Sequence, residues 1–116
     1  MRITTVFAGV AVADFDAALA WYERLLGRPA DQRPMEGLAQ WSVTREGGIQ
    51  VVHDAGRAGT ALVTLTVDDV DGSVAALQGR GLTPGTINTG TFARFTTLTD
   101  PAGNTITLAT QRDPAA

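Results

Sequence analysis

One stretch of this sequence occurs twice. Thr5-Val-Phe-Ala-Gly-Val-Ala-Val-Ala-Asp14-Phe-Asp16 returns as Thr60-Ala-Leu-Val-Thr-Leu-Thr-Val-Asp-Asp69-Val-Asp71, at a constant offset of 55 residues that sets Val12 on Val67 and Asp14 on Asp69. Each copy runs into an amphipathic helical pattern closed by glycine. A repeat of this length is one supersecondary unit made twice. In a chain of 116 residues neither half is large enough to bury a core alone, so the two units must share one structure. The expected organisation is a single domain: repeat one over 3–54, a linker at 55–59 holding two glycines, repeat two over 60–110 and a frayed tail at 111–116.

Within the first copy, Val6, Ala8, Val10 and Val12 fall on one face of a strand, with Phe7, Gly9 and Ala11 on the other, as a period of two requires. Asp14 is placed to cap a helix whose apolar stripe is Phe15, Ala18, Leu19, Tyr22 and Leu26, and Gly27 to end it. The sequence then predicts a short strand over 28–33 and a hairpin of 38–45 with 49–54, closed at Glu46-Gly47-Gly48. The second copy repeats the order. A strand over 61–67 leads to a helix capped by Asp69, with Val70, Val74 and Leu77 as its stripe and Gly81 at its end. A weak strand over 84–88 and a last hairpin follow, the hairpin turned by Asp100-Pro101-Ala102-Gly103-Asn104.

Composition removes several kinds of chemistry. The chain holds no cysteine and no lysine, which excludes thiolate nucleophiles, disulfides, zinc thiolates and Schiff bases formed by its own side chains. One histidine, His53, is too few for a site that needs several of His, Asp, Glu or Cys to converge, and its strand parity turns it away from Gln50. With a net charge of −3 and nine scattered arginines there is no basic stripe for a phosphate backbone, so no nucleic-acid partner is expected. The apolar run Val6–Val12 is far shorter than the roughly 20 residues of a membrane span. No membrane association and a cytoplasmic location are the expectations.

A duplicated strand-helix-three-strand unit, with VADFDAALAWYERLLG in the first copy and DPAGNTITL ending the second, resembles the vicinal oxygen chelate superfamily, which includes glyoxalase I, extradiol dioxygenases, fosfomycin-modifying enzymes and bleomycin-binding proteins. The resemblance implies an α+β fold in which two βαβββ repeats form paired curved sheets, a half-barrel around a central cleft, and it implies a homodimer. It also implies metal ligands, in the family's enzymes, at four equivalent positions on the first and last strands of each repeat. Here those positions are Phe7, Gln50, Leu62 and Thr107. Only Gln50 resembles a ligand, and one amide does not hold a divalent ion. No metal and no cofactor are therefore expected.

Parity sorts what could line the cleft. If Val10, Val12, Val63, Leu65 and Val67 pack on the helices, then Phe7, Gly9, Leu62, Thr64 and Thr66 face the other way. Pairing Asp100 with Asn104 adds Thr97 opposite Thr107 and Phe95 opposite Ala109. Trp41 stays open: a two-residue turn at Glu46-Gly47 sends it into the cleft beside Val52, whereas the repeat alignment with Thr96 sends it toward the helix. Asp14 and Asp69 read as helix caps rather than catalytic carboxylates. A cleft of Phe7, Trp41, Gln50, Leu62, Thr64, Phe95 and Thr107 suits a weakly polar, partly aromatic small molecule. The alternative is that these residues fill a closed core. Two functions follow: a metal-free protein that sequesters a small molecule, or a metal-free isomerase, lyase or hydrolase of a secondary-metabolite pathway, for which no group with a pKa near the working pH is in view.

Overall fold

Both copies of the repeated stretch fold alike in the computed structural model, which describes residues 1–113. The first gives β1 (Val6–Val12), α1 (Phe15–Leu26), β2 (Gln32–Met35), β3 (Leu38–Thr44) and β4 (Gly47–His53). After a single 3-10 turn at Ala55–Arg57, the second gives β5 (Leu62–Thr66), α2 (Val70–Gly79), β6 (Asn88–Thr89), β7 (Ala93–Thr99) and β8 (Thr105–Gln111). Each copy closes a four-stranded sheet, in the orders β1-β4-β3-β2 and β5-β8-β7-β6. The helix carries the chain across so that the first strand lies parallel to the last, and the other pairings are antiparallel. The result is an α+β fold of two open curved sheets. β1 and β5 are both edge strands, and neither pairs with the other sheet.

The helices begin and end where cap chemistry puts them. The Asp14 carboxylate accepts the Ala17 amide at 3.1 Å, and Gly27 (φ +76°) takes the left-handed turn that lets its amide reach the Glu23 carbonyl. Asp69 does the same for Gly72, and α2 stops at Gly79 with Gly81 at φ +85° beyond it. Ala18, Tyr22 and Leu25 turn the buried face of α1 onto Val10, Val12, Trp41, Ile49 and Val51. Val63, Val70, Leu77, Leu98, Ile106 and Leu108 continue the same apolar cluster in the second repeat. The helix-side faces of the two sheets thus share one core.

Polar contacts join the two repeats across and beside that core. Asn104, fully buried, donates from Nδ2 to the Ala11 carbonyl of β1 and to Asp100 Oδ2, and its Oδ1 accepts the Ala61 amide, each at 2.9 Å. Asp100 Oδ2 also accepts the Tyr22 hydroxyl at 2.8 Å. Arg80, from the second repeat, donates to the Arg24 and Leu25 carbonyls at the C-terminal end of α1. The DPAGN turn is therefore a joint between repeats as well as a hairpin turn.

Three predicted elements differ. The short strand starts at Gln32 rather than Arg28, because the Arg28 carbonyl accepts the Trp41 indole and the Arg28 guanidinium engages Asp31 and the Ser42 carbonyl, which removes this segment from the ladder. In the second repeat the weak strand lies at Asn88–Thr89 rather than over 84–88, since the Gly85 amide donates to the Thr97 carbonyl and the Gly85 carbonyl accepts the Thr96 hydroxyl outside a regular pairing. Gly47 and Gly48 are not a turn. They open β4, and the chain reverses at Arg45-Glu46. A Cβ on Gly48 would stand 2.2 Å from the Trp41 carbonyl oxygen and 2.7 Å from the Phe7 ring, so glycine is there for close packing. Of the expected tail, Gln111 belongs to β8 and residues 114–116 lie outside the described residues.

The packing generates three expectations. Gly48→Ala should cost about 2 kcal/mol or more by overpacking, while Gly9→Ala, whose Cβ meets nothing within 4 Å, should be neutral or stabilising by about 0.5 kcal/mol; denaturant midpoints of the two variants check the contrast. Asn104→Ala leaves the Ala11 carbonyl and the Ala61 amide without their partner and should cost about 3 kcal/mol in the same assay. Burial, and then the hydrogen bond to Asp100 and its charge, push the Tyr22 phenol far above its ordinary pKa. Its neutral form thus contributes stability that is complete below the unfolded value of about 10 and is lost as pH rises beyond it. This is the chain's one tyrosine, so tyrosinate absorbance in an alkaline titration should rise only with unfolding, and Tyr22→Phe should flatten the alkaline loss of stability.

Candidate functional site

Since the helix-side faces are committed to the core, the other face of each sheet points outward. On the first sheet the parallel register sets Phe7 beside Gly48 and Gly9 beside Gln50. Phe7 is half-buried, its ring lying over Gly48, and Gly9 is exposed. Gln50 is half-buried, and its Nε2 donates to Gln40 Oε1 across the ladder at 2.9 Å. On the second sheet Thr64 pairs with Thr107 and Thr107 with Thr97, while Phe95 lies opposite Ala109. Leu62 is 84% exposed. These faces are not plugged by their own side chains, and Leu62 does not fill a closed core.

Trp41 leaves the candidate site. Its register partner is Ile49, which puts it on the helix side, where it is fully buried, donates its indole N–H to the Arg28 carbonyl at 3.0 Å and packs against Tyr22. The turn at Arg45-Glu46 together with the register shift between Ser42 and Thr44 decides this against the cleft-facing alternative. Gln40 is the residue that sequence reasoning missed. With the hairpin turned at Arg45-Glu46 and a register shift between Ser42 and Thr44 it falls opposite Gln50, and only the true register could have revealed it. His53 is exposed at the end of β4 and meets Phe15 at 6.3 Å between ring centroids, on the α1 side. Asp71 is paired with Arg94 on the helix side of the second sheet and does not reach the outward face.

In electrostatic terms the two faces are bare. Leu38, Gln40, Ser42 and Val52 complete the first, and Thr66, Thr99, Thr105 and Gln111 much of the second, with no ionisable side chain among them. The carboxylates held below their usual range lie elsewhere: Asp31 by the Ser42 amide and Arg28, Asp54 by Arg57, Asp71 by Arg94. Asp54 and Arg57 bound a hollow of about 310 Å³ at one end of the first face, beside Gly9, Ala11 and Val52, and they neutralise each other at 2.7 Å.

A larger groove of about 690 Å³ opens on the opposite side, between the two repeats. Val6, Ala8 and Ile49 form one wall, and α2 with the free edge of β5 forms the other. It exists because α1 covers only the far half of β1: Val10 and Val12 are buried while Val6 is 67% exposed. Of the sequence-predicted site residues only Thr64 reaches it.

A divalent ion does not fit the family's four ligand positions in this chain. They present a phenyl ring, an isobutyl group, a threonine hydroxyl and one amide, and that amide's Nε2 donates to Gln40. Among the described residues no three His, Cys, Asp or Glu side chains come together as a ligand set. Nor does any helix among them have the length and apolarity to cross a membrane.

Known proteins share this architecture. The glyoxalase-like domain profile matches residues 5–109. A glyoxalase/bleomycin resistance protein from Catenulispora acidiphila DSM 44928 is 36% identical over 91% of this chain and 96% of its own, with a TM-score of 0.84. TnmS3, an antibiotic binding protein from Streptomyces sp. CB03234, is 25% identical over 97% of this chain and 99% of its own, with a TM-score of 0.80. A glyoxalase/bleomycin resistance protein from the same Streptomyces strain is 27% identical over 90% and 97%, at 0.71. No curated protein matches the chain. The profile match, the 36% identity and the two βαβββ sheets agree, and the chain belongs to the glyoxalase-like domain family of the vicinal oxygen chelate superfamily.

Proposed function

We propose that this chain is a metal-independent small-molecule-binding protein of the sequestering type, working in the cytoplasm as a homodimer, with the outward sheet faces as its ligand surface. The observation that carries this reading is the pair of uncovered, uncharged faces set with Phe7, Gln50, Thr64, Phe95 and Thr107, in a chain similar along its length to an antibiotic binding protein. Apolar and aromatic surface with a few hydrogen-bonding groups is what small-molecule sites offer. Metal independence is supported by the absence of any carboxylate or imidazole at Phe7, Gln50, Leu62 and Thr107.

The homodimer is supported by what a single chain leaves undone. β1 and β5 keep unpaired edges, which folded proteins usually cover. Ile3 (72% exposed), Val6 and Leu62 stand in solvent along those edges, and the 690 Å³ groove adds further uncovered apolar wall. Catalysis by an isomerase, lyase or hydrolase mechanism would need a titratable group on the faces. Among the described residues none stands on them, so binding without turnover is the better reading.

Native mass spectrometry of the protein purified from its own host without chelators tests all parts at once. The expected result is a dimer mass carrying an organic adduct and no divalent ion, with ligand affinity unchanged by EDTA. A divalent-ion adduct would overturn metal independence, a monomer would overturn the dimer, and consumption of the bound compound on incubation would replace sequestration with catalysis.

A further inference from the structure

The second sheet's outward face carries a pattern that neither the fold nor the core requires. Six threonines stand on it in register: Thr64, Thr107 and Thr97 form one row across β5, β8 and β7, Thr105 and Thr99 form a second, and Thr66 begins a third. By strand geometry, neighbours within a row are about 4.8 Å apart and the rows about 7 Å apart. Thr64, Thr66, Thr97 and Thr99 are exposed, and Thr105 and Thr107 are half-buried.

Threonines of the same strands that face the helix are engaged: Thr96 donates to the Gly85 carbonyl and Thr110 accepts the Val70 amide. Among the described residues the six outward hydroxyls have no side-chain hydrogen-bond partner, and none is a buried unsatisfied group. They are therefore open to solvent or to a ligand. Leu62 and Phe95 flank the rows, giving apolar contact at two corners.

Such a face has a definite chemical preference. Each hydroxyl is a rotor that can donate or accept, so an array of them meets hydroxyl, carbonyl and ether oxygens alike. It offers no counter-charge, and an ionised group brought against it would lose water without a partner. The first sheet's outward face adds no ionisable residue either, in a chain of which 18% is charged.

We propose that the threonine face is the polar half of the ligand site and selects an uncharged, oxygen-rich ring compound, rejecting cationic and anionic ligands of the same size. This rests on the small-molecule-binding reading above. It adds the class of ligand and the residues that choose it.

The test is an amide NMR titration of the intact protein with a matched naphthalene series: the neutral glucoside, the sulfonate, the methylammonium and the plain naphthol. The glucoside should shift the amides around Thr64, Thr97 and Thr107 and bind more tightly than the naphthol, and the two ions should leave that face unmoved. Thr107→Val and Thr97→Val keep strand propensity and shape while removing one hydroxyl each, and each should weaken the glucoside about 2- to 10-fold. Thr107→Asp should let the methylammonium bind.

If an ion binds the face as tightly as the glucoside, or the valine variants bind unchanged, the ligand class is wrong while small-molecule binding stands. Shifts confined to other surfaces would remove the threonine face from the site. If no member of the series shifts any amide, the binding reading fails and this inference with it.

Discussion

The structure depends on a polar joint inside an apolar core. Each repeat makes a sheet with one apolar face, and neither sheet can leave that face in water. Turning both toward a common interior solves the problem but gives no register between them, because apolar contact is not directional. Asn104 supplies the register. Its amide ties the Ala11 carbonyl of β1 to the Ala61 amide that precedes β5, and through Asp100 it reaches the Tyr22 hydroxyl on α1. Buried polar groups this well partnered specify one arrangement and penalise others, since any slip would leave several of them unpaired. The outward position of the other two faces follows from this choice.

Much of this was legible because the signals are local. Period-two alternation in Val6–Val12, the Asp14 and Asp69 caps and the Gly27 stop are written within a few residues, and the structure has them where the sequence puts them. The pairing of Thr97 with Thr107 follows from one well-formed turn. The β3–β4 hairpin was not legible in the same way, because glycine has two meanings. Gly47-Gly48 reads as a turn, yet Gly48 is needed where the Phe7 ring and the Trp41 carbonyl close on the strand. Closing the hairpin at Arg45-Glu46, with a register shift between Ser42 and Thr44, sends Trp41 into the core and brings Gln40 to Gln50. Which face Leu62 occupies could be read from parity. Its exposure could not, since that depends on what lies across from the second sheet.

Threonine content had the same ambiguity, and the structure resolves it by sorting one residue type into two environments. Thr96 and Thr110 face the helix, where every hydroxyl needs a partner, and each has one. Across the same strands the outward threonines have none among the described residues, and they need none because water reaches them. Strand propensity accounts for β-branched residues on that face and would be met equally well by valine or isoleucine. Solubility accounts for polarity and would be met better by lysine or glutamate, the usual choice on an exposed sheet.

Neither requirement accounts for polarity without charge over a whole sheet face. A surface that only had to meet water would gain nothing by excluding ions. One that must also give up its water to a partner does gain, because a stranded charge costs far more than a stranded hydroxyl, and a hydroxyl can turn to meet either a donor or an acceptor. The first sheet obeys the same restriction with different residues, closing its amides on each other through Gln40 and Gln50. The charges that this end of the molecule does carry, Arg57 with Asp54, are matched within the rim. On the proposed binding reading, these faces can be dehydrated at lower cost than a charged surface, which is the property that a site for an uncharged ligand requires.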